Sequence, residues 1–145
     1  MIERRSAFAD LDPHTLYALL KLRSDVFVVE QACPYPELDG RDDEPGTEHR
    51  WYEDDDGCPV AYLRTLVEPD GTVRVGRVVT RPDHRREGLA RRLVEGVLPD
   101  HDDVRADAQS HLRRWYESLG FEVVGDEYVE DDIPHLPMRR RVSSG

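Results

Sequence analysis

A mixed α/β fold, with a central sheet flanked by helices, is predicted by three observations. Three apolar, β-branched runs joined by hairpin-type turns fill positions 47–80. A helical pattern opens at Gly88, directly after the last of these runs. Beyond it, short strand-like runs alternate with a second helical pattern. Successive antiparallel strands, a helical crossover, a strand, a helix and a closing strand pair make a mixed α/β sandwich.

The elements follow in order. Asp12-Pro13 starts a helix, with an N-cap carboxylate and proline at the first helical position. Leu16, Leu19, Leu20, Val26 and Phe27 keep helical spacing to about Glu30. "ACPYPELDGRDDEPG" is a long surface loop, of a length that often carries function. "TEHRWYED", "CPVAYLRTLVE" and "TVRVGRVVT" are three strands, joined at Asp56-Gly57 and at Pro69 to Gly71. The helix from Gly88 buries Leu89, Leu93, Val94, Val97 and Leu98 and ends before Pro99. "VRADA" is a short strand. Ser110 caps a helix bearing Leu112, Trp115, Tyr116 and Leu119, which stops at Gly120. "FEVVGDEYV" and "HLPMRRRV" close the chain as two strands.

A chain of 145 residues suggests one domain spanning positions 1–145. Folding at that size buries roughly 68–70% of the unfolded surface, enough for a real core. The net charge is −11, from 31 acidic and 20 basic residues, and only Lys21 among the basic residues is lysine. This balance argues against nucleic acid as a partner, because phosphates would be repelled. Acidic excess with almost no lysine looks like adaptation to high salt; an ordinary acidic cytoplasmic protein is the alternative. Cys33 and Cys58 are too few for a disulfide framework and are expected to be free and buried. No apolar run has signal-peptide length or approaches the ~20 residues of a membrane span, so a cytoplasmic protein with no membrane partner is expected.

Between strand and helix lies Arg85-Arg86-Glu87-Gly88-Leu89-Ala90. Unpaired amides and the helix dipole converge at a helix N-terminus and bind anions. Gly88 lets the backbone approach closely, Ala90 leaves the approach open, and two arginines add charge suited to a phosphate. Neither Gly-Lys-Ser/Thr nor G-x-G-x-x-G is present, which sets aside two familiar phosphate loops. A solvated turn decorated with arginines is the alternative.

This segment resembles the R-x-x-G-x-A pyrophosphate loop of the GNAT acyltransferases. "LRSDVFVVEQACPYPELDGRD", "AQSHLRRWYESLGF" and "EDDIPHLPM" extend the likeness, in order and over nearly the whole chain, to the ElaA-type branch of that superfamily. The resemblance implies the GNAT acyl-CoA N-acyltransferase fold, with acetyl-CoA as co-substrate, no metal, and a small-molecule or peptidyl amine as acceptor. It implies that "GRVVT" and "VRADA" splay to admit the pantetheine arm. Val78, Val79 and Thr80 would then line that arm, and Arg85, Arg86, Glu87, Gly88, Leu89 and Ala90 would hold the pyrophosphate. Gly76 would suit a bulge. Many members have glycine where this chain has Arg86, so a positive φ there would cost stability or alter the loop.

Acetyl transfer to an amine needs a neutral amine, a donor for the developing oxyanion and a proton for the departing thiolate. Spacing alone allows Tyr116 to be a core aromatic, since Leu112, Trp115 and Leu119 share its stripe. The resemblance makes it the acid, because GNAT proteins commonly place a tyrosine there. The base is open among Glu30, Asp39, His49 and His135, all within blocks shared with the resembled branch, and ordered water. Imidazole titrates closest to neutrality. The acidic runs lack the spacing of a calcium loop, and histidine and cysteine lack that of a zinc site. A non-catalytic acyl-CoA-binding sensor is the alternative function. Self-association as a homodimer stays open.

Overall fold

The computed structural model describes residues 1–32 and 36–142. Among them, eight strands form one sheet: β1 (Ile2–Ala7), β2 (Glu48–Glu53), β3 (Pro59–Val67), β4 (Val73–Thr80), β5 (Asp103–Gln109), β6 (Glu122–Val123), β7 (Tyr128–Glu130) and β8 (Ile133–Arg141). Their order is β1-β2-β3-β4-β5-β8-β6, with β7 also paired to β8. Only β4 and β5 run parallel, since the helix between them returns the chain to the same end of the sheet. The predicted mixed sheet flanked by helices is therefore present.

Three helices cover the sheet: α1 (Pro13–Ser24), α2 (Leu89–Val97) and α3 (Arg113–Glu117). Asp12 caps α1 as expected, its Oδ1 accepting from the Thr15 amide at 2.8 Å. The helix then widens into a π-helical segment, Asp25–Glu30. Leu19, Leu22, Val26 and Phe27 pack against Trp51, Tyr62 and Val79 of the sheet. A second, larger cluster sets Leu89, Leu93, Val94 and Val97 of α2, with Tyr116 of α3, against Leu63, Val75, Val104 and Ala106. Buried on both faces, β3 reads as a largely apolar run, interrupted by Arg64 and Thr65, rather than an alternating one.

One strand was missed and three expectations are corrected. Ile2–Ala7 is an edge strand that its charged sequence concealed; Arg4–Glu53 and Arg5–Glu48 pairs tie it to β2. "FEVVGDEYV" is two short strands, β6 and β7, not one. Ser110 does not cap a helix: its hydroxyl bonds Glu127 at 2.7 Å, and a 3-10 turn, Ser110–Leu112, precedes the five-residue α3. Cys58 is exposed rather than buried, in the β2–β3 turn, while Cys33 lies outside the described residues. The stop at Gly120 stands, with φ +93°.

Candidate functional site

β4 and β5 are ladder partners only over Val73–Val75 and Val104–Ala106. Beyond that point each strand follows its other neighbour: β4 stays on β3 as far as Thr80, and β5 stays on β8 as far as Gln109. A bulge makes the split. Two steps along β3, from Arg64 to Tyr62, match three along β4, from Gly76 to Val79. The extra residue bends β4 away from β5. Gly76 was the expected bulge residue, but the positive φ, +54°, falls on Arg77.

A buried ion network holds this strained arginine and shapes one wall. Arg77 lies 3.0 Å from the Glu37 carboxylate, and its Nη2 donates to the Glu37 carbonyl at 3.1 Å. Arg23, 1% exposed, donates to Glu37 at 2.6 Å and to Asp42 at 2.8 Å. Arg64, within β3, binds both Asp39 and Asp42. Three arginines thus clamp loop residues 37–42 onto the sheet beside the split. Removing one partner of a buried pair strands the other charge, a loss of about 3–5 kcal/mol.

The split opens into a cleft of about 1010 Å³. Val78, Val79, Thr80, Arg85, Arg86, Gly88, Leu89 and Ala90 all line it. Glu87 does not; it faces His84, with Oε2 3.0 Å from Nδ1. Gly88 takes φ +76° at the N-cap of α2, and a side chain there would point into open space. The first amides of α2, from Leu89 onward, have no intrahelical acceptor, as at any helix start. Arg86 has φ +70°, so the departure from glycine does fall on a left-handed residue.

Arg85, expected at the pyrophosphate, is engaged within the chain. Its Nε donates to the Thr80 carbonyl at 3.0 Å, and its two Nη groups hold Glu30 at 2.6 Å each. Among the described residues Arg86 forms no ion pair, so it is the turn's available charge.

The catalytic candidates separate by position. Glu30, Asp39, Tyr116 and His135 line the cleft; His49 does not. His49 is buried, with Nδ1 accepting from the Tyr62 hydroxyl at 2.6 Å and Nε2 donating to the Asp42 carbonyl at 3.0 Å. Burial pushes its pKa down. The Arg85 hydrogen bonds hold the Glu30 carboxyl below its usual range. Burial opposes ionisation of Asp39, yet Arg64, the Arg41 amide and Arg77 together keep its carboxyl well below that range.

Tyr116 is 6% exposed, set edge-on to both Trp115 and Phe121. Its hydroxyl makes no hydrogen bond among the described residues, and burial, with the Asp107 charge second, pushes its pKa up to about 12. Burial thus keeps the phenol protonated beside an open cleft. Sequence reasoning missed Asp107, Tyr128 and the Arg23–Arg64–Arg77 network. One signal was legible: an arginine in the middle of the apolar run "VAYLRTLV" must be buried and paired.

A family model described as "Acetyltransferase (GNAT) domain" matches residues 24–142. The chain belongs to the GNAT family. It is 48% identical over 142 residues to UPF0039 protein Mb2876c of Mycobacterium bovis, covering 94% of this chain and 91% of that protein. The crystal structure of an acyl-CoA N-acyltransferase from Pseudomonas aeruginosa is similar, with TM-score 0.89, 44% identity and coverage of 96% and 98%. Escherichia coli ElaA has a crystal structure with TM-score 0.87 and 36% identity, covering 97% of this chain and 99% of that one. The sheet split at β4 and β5 is thus the GNAT acyl-CoA N-acyltransferase fold, and the ElaA-type resemblance stands.

GNAT membership supports acyl transfer, and this chain's own residues fit an acyl-CoA. The Gly88 backbone and the α2 amides offer an anion site with nothing crowding it. The apolar wall from Val78 and Val79 suits a slender arm. Among the described residues, no group of three or more His, Cys, Asp or Glu could hold a metal, and no helix is long and apolar enough to cross a membrane.

Proposed function

We propose that this protein transfers an acetyl group from acetyl-CoA to a primary amine by direct attack of the amine on the thioester. The observation that carries the reading is the parting of β4 from β5 at the Arg77 bulge, in a cleft that ends on the N-terminus of α2. Past Val75, β4 has no ladder partner on its β5 side, which leaves that edge open to donate to a thioester carbonyl. Bound acetyl-CoA supplies the activated acyl group. The chain supplies an anion site from Gly88 to Ala90, charge from Arg86, an apolar channel, and a proton from Tyr116.

Tyr116 protonates the departing thiolate. A pKa of about 12 sets the phenol well above a free thiol near ~8.5. The same burial destabilises the thiolate as it forms, so the two groups are matched more closely than their values in water suggest. The acceptor is a small-molecule or peptidyl amine.

Wild-type protein, incubated with acetyl-CoA and a panel of primary amines at low and molar salt, should release free thiol with at least one amine. Tight acetyl-CoA binding by calorimetry with no thiol released would instead favour an acyl-CoA-binding sensor. Absence of CoA binding would reject both.

A further inference from the structure

Acyl transfer also needs a group to take the proton of the acceptor ammonium, and the candidate carboxylates and imidazoles are not equivalent. Glu30 has both oxygens on Arg85. Asp39 lies between Arg64 and Arg77. His49 has both ring nitrogens engaged and sits away from the cleft. His135 lines the cleft, and its Nδ1 lies 2.7 Å from the Ile133 carbonyl oxygen. A carbonyl only accepts, so Nδ1 carries the hydrogen, and in the neutral ring the lone pair is on Nε2.

The ring is fixed from a second side. Tyr128 pairs with His135 across β7 and β8, and the two rings stack with centroids 5.7 Å apart and planes 20° apart. Arg74 donates to the Asp107 carboxylate at 2.6 Å, on the side of the sheet where Asp107 acts on the Tyr128 hydroxyl. Burial first, then Asp107, drives the Tyr128 pKa above the ordinary phenol range, so this donor stays protonated. Across the ladders His135 is paired with Tyr128 of β7 and Gln109 of β5, and Asp107, Glu130 and Asp131 line the same cleft.

We propose that His135 Nε2 is the general base that deprotonates the acceptor ammonium, and that Tyr128 is a positioning residue that fixes the imidazole. The proposal rests on the acyl-transfer reading above. The ammonium gives one proton to Nε2, which later passes it to solvent. The freed lone pair forms the C–N bond, the carbonyl pair moves to oxygen, and its return breaks the C–S bond. Tyr116 protonates the sulfur, and the second proton shed by nitrogen restores the phenol. Amide, free thiol and one solvent proton are the balanced products.

The test uses two acceptors, benzylamine, an ammonium at neutral pH, and aniline, already a free amine. His135→Gln should lower kcat by ~10²-fold with benzylamine, the usual range for a lost base, and far less with aniline. Acetyl-CoA affinity and Tm should hold. Tyr128→Leu should show the same acceptor-dependent loss in smaller measure, which a merely structural role would not produce. Should His135→Gln fail to fold, the histidine tautomer in wild-type protein, read by 15N NMR, remains decisive. A hydrogen on Nδ1 of His135 is expected, and one on Nε2 overturns the proposal. Equal losses with both amines, or none, also overturn it while leaving acyl transfer intact. If wild-type protein binds acetyl-CoA but releases no thiol with any amine of the panel, benzylamine and aniline included, the transfer reading falls and the base falls with it.

Discussion

The guanidinium of Arg85 closes on the carboxylate of Glu30 through two hydrogen bonds of 2.6 Å. This pair joins the turn before α2 to the end of the π-helical segment after α1, and both residues line the cleft. It is a phosphate-like contact already made within the chain. In the free chain Arg85 therefore shapes the turn, and Glu30 neutralises it.

Glu30→Gln should test both roles at once. The pair is about 40% exposed on each side, so its loss should change stability by only ~0–1 kcal/mol. Acetyl-CoA affinity should hold or rise, because Arg85 is released towards the anion. Turnover should persist, far short of the ~10²-fold loss that follows removal of a positioned base. Calorimetry and a thiol-release assay check the two halves, and a collapse of kcat at unchanged affinity would return Glu30 to the list of bases.

Gly88→Val should abolish CoA binding while the protein stays folded. The added side chain points into open space, so it meets no neighbour in the chain itself. It would stand where a pyrophosphate approaches, and φ +76° would add ~1–2 kcal/mol of strain for a residue with a Cβ. Titration calorimetry is the measurement, and wild-type affinity would remove the anion site from this turn.

Arg86→Gly should move stability and binding in opposite directions. At φ +70° arginine carries strain of ~1–2 kcal/mol, which glycine relieves, less the entropy glycine adds to the unfolded chain. A small net gain in urea-denaturation stability is expected. CoA affinity should weaken modestly, since a partly exposed charge is screened. A loss of stability would mean that the arginine side chain compensates the backbone.

The elements that position the cleft were legible because their signals are local. β2, β3, β4 and α2 have apolar periodicity and flanking turn residues, and the four motif blocks lie along the chain in order. What was hidden is non-local or contrary to local rules. β1 reads Ile-Glu-Arg-Arg-Ser-Ala, with no apolar face, because charge pairing across to β2 holds it. Arg23 stands 14 and 19 positions from its partners Glu37 and Asp42, so nothing nearby marks it as buried. The bulge turns on Arg77, where a left-handed residue is least expected, because Glu37 and Asp39 hold the guanidinium. His49 was singled out in sequence as a histidine in a strand, and in space the same placement puts it outside the cleft: a polar residue inside a buried strand must spend both nitrogens on neighbours.

That burial gives His49 a signature in acid. Its pKa is lowered from 6.5, chiefly by burial, so the unfolded chain binds the proton more readily than the folded one. Above 6.5 both states are neutral and the group contributes no pH dependence. As pH falls through 6.5 the unfolded state protonates first and stability drops, until the folded-state value is passed. The paired carboxylates of Asp39 and Asp42, with lowered pKa values, lose their contribution only further down. Melting temperatures should therefore begin to fall just below pH 6.5, and His49→Gln should flatten that first slope whatever its overall stability. An unchanged slope in the variant would assign the effect elsewhere.

Tyr116→Phe separates the acid from the core aromatic. The substitution keeps the ring and its edge contacts with Trp115 and Phe121 and removes only the hydroxyl. That hydroxyl has no hydrogen-bond partner among the described residues, so stability should hold or rise slightly. Acetyl-CoA affinity should hold as well. If Tyr116 delivers the proton to sulfur, kcat under single-turnover conditions should fall by ~10²-fold or more. A pKa of about 12 places its ionisation beyond the alkaline range of a rate profile, so the wild-type high-pH limb should stay flat as far as the fold survives. A limb in the range of an ordinary phenol would show that the group is less buried than the structure has it. The acceptor should be the best amine of the panel, so that deprotonation of nitrogen does not mask the acid step. Wild-type single-turnover rates in the variant would pass the role to water and leave Tyr116 as the aromatic floor of the cleft.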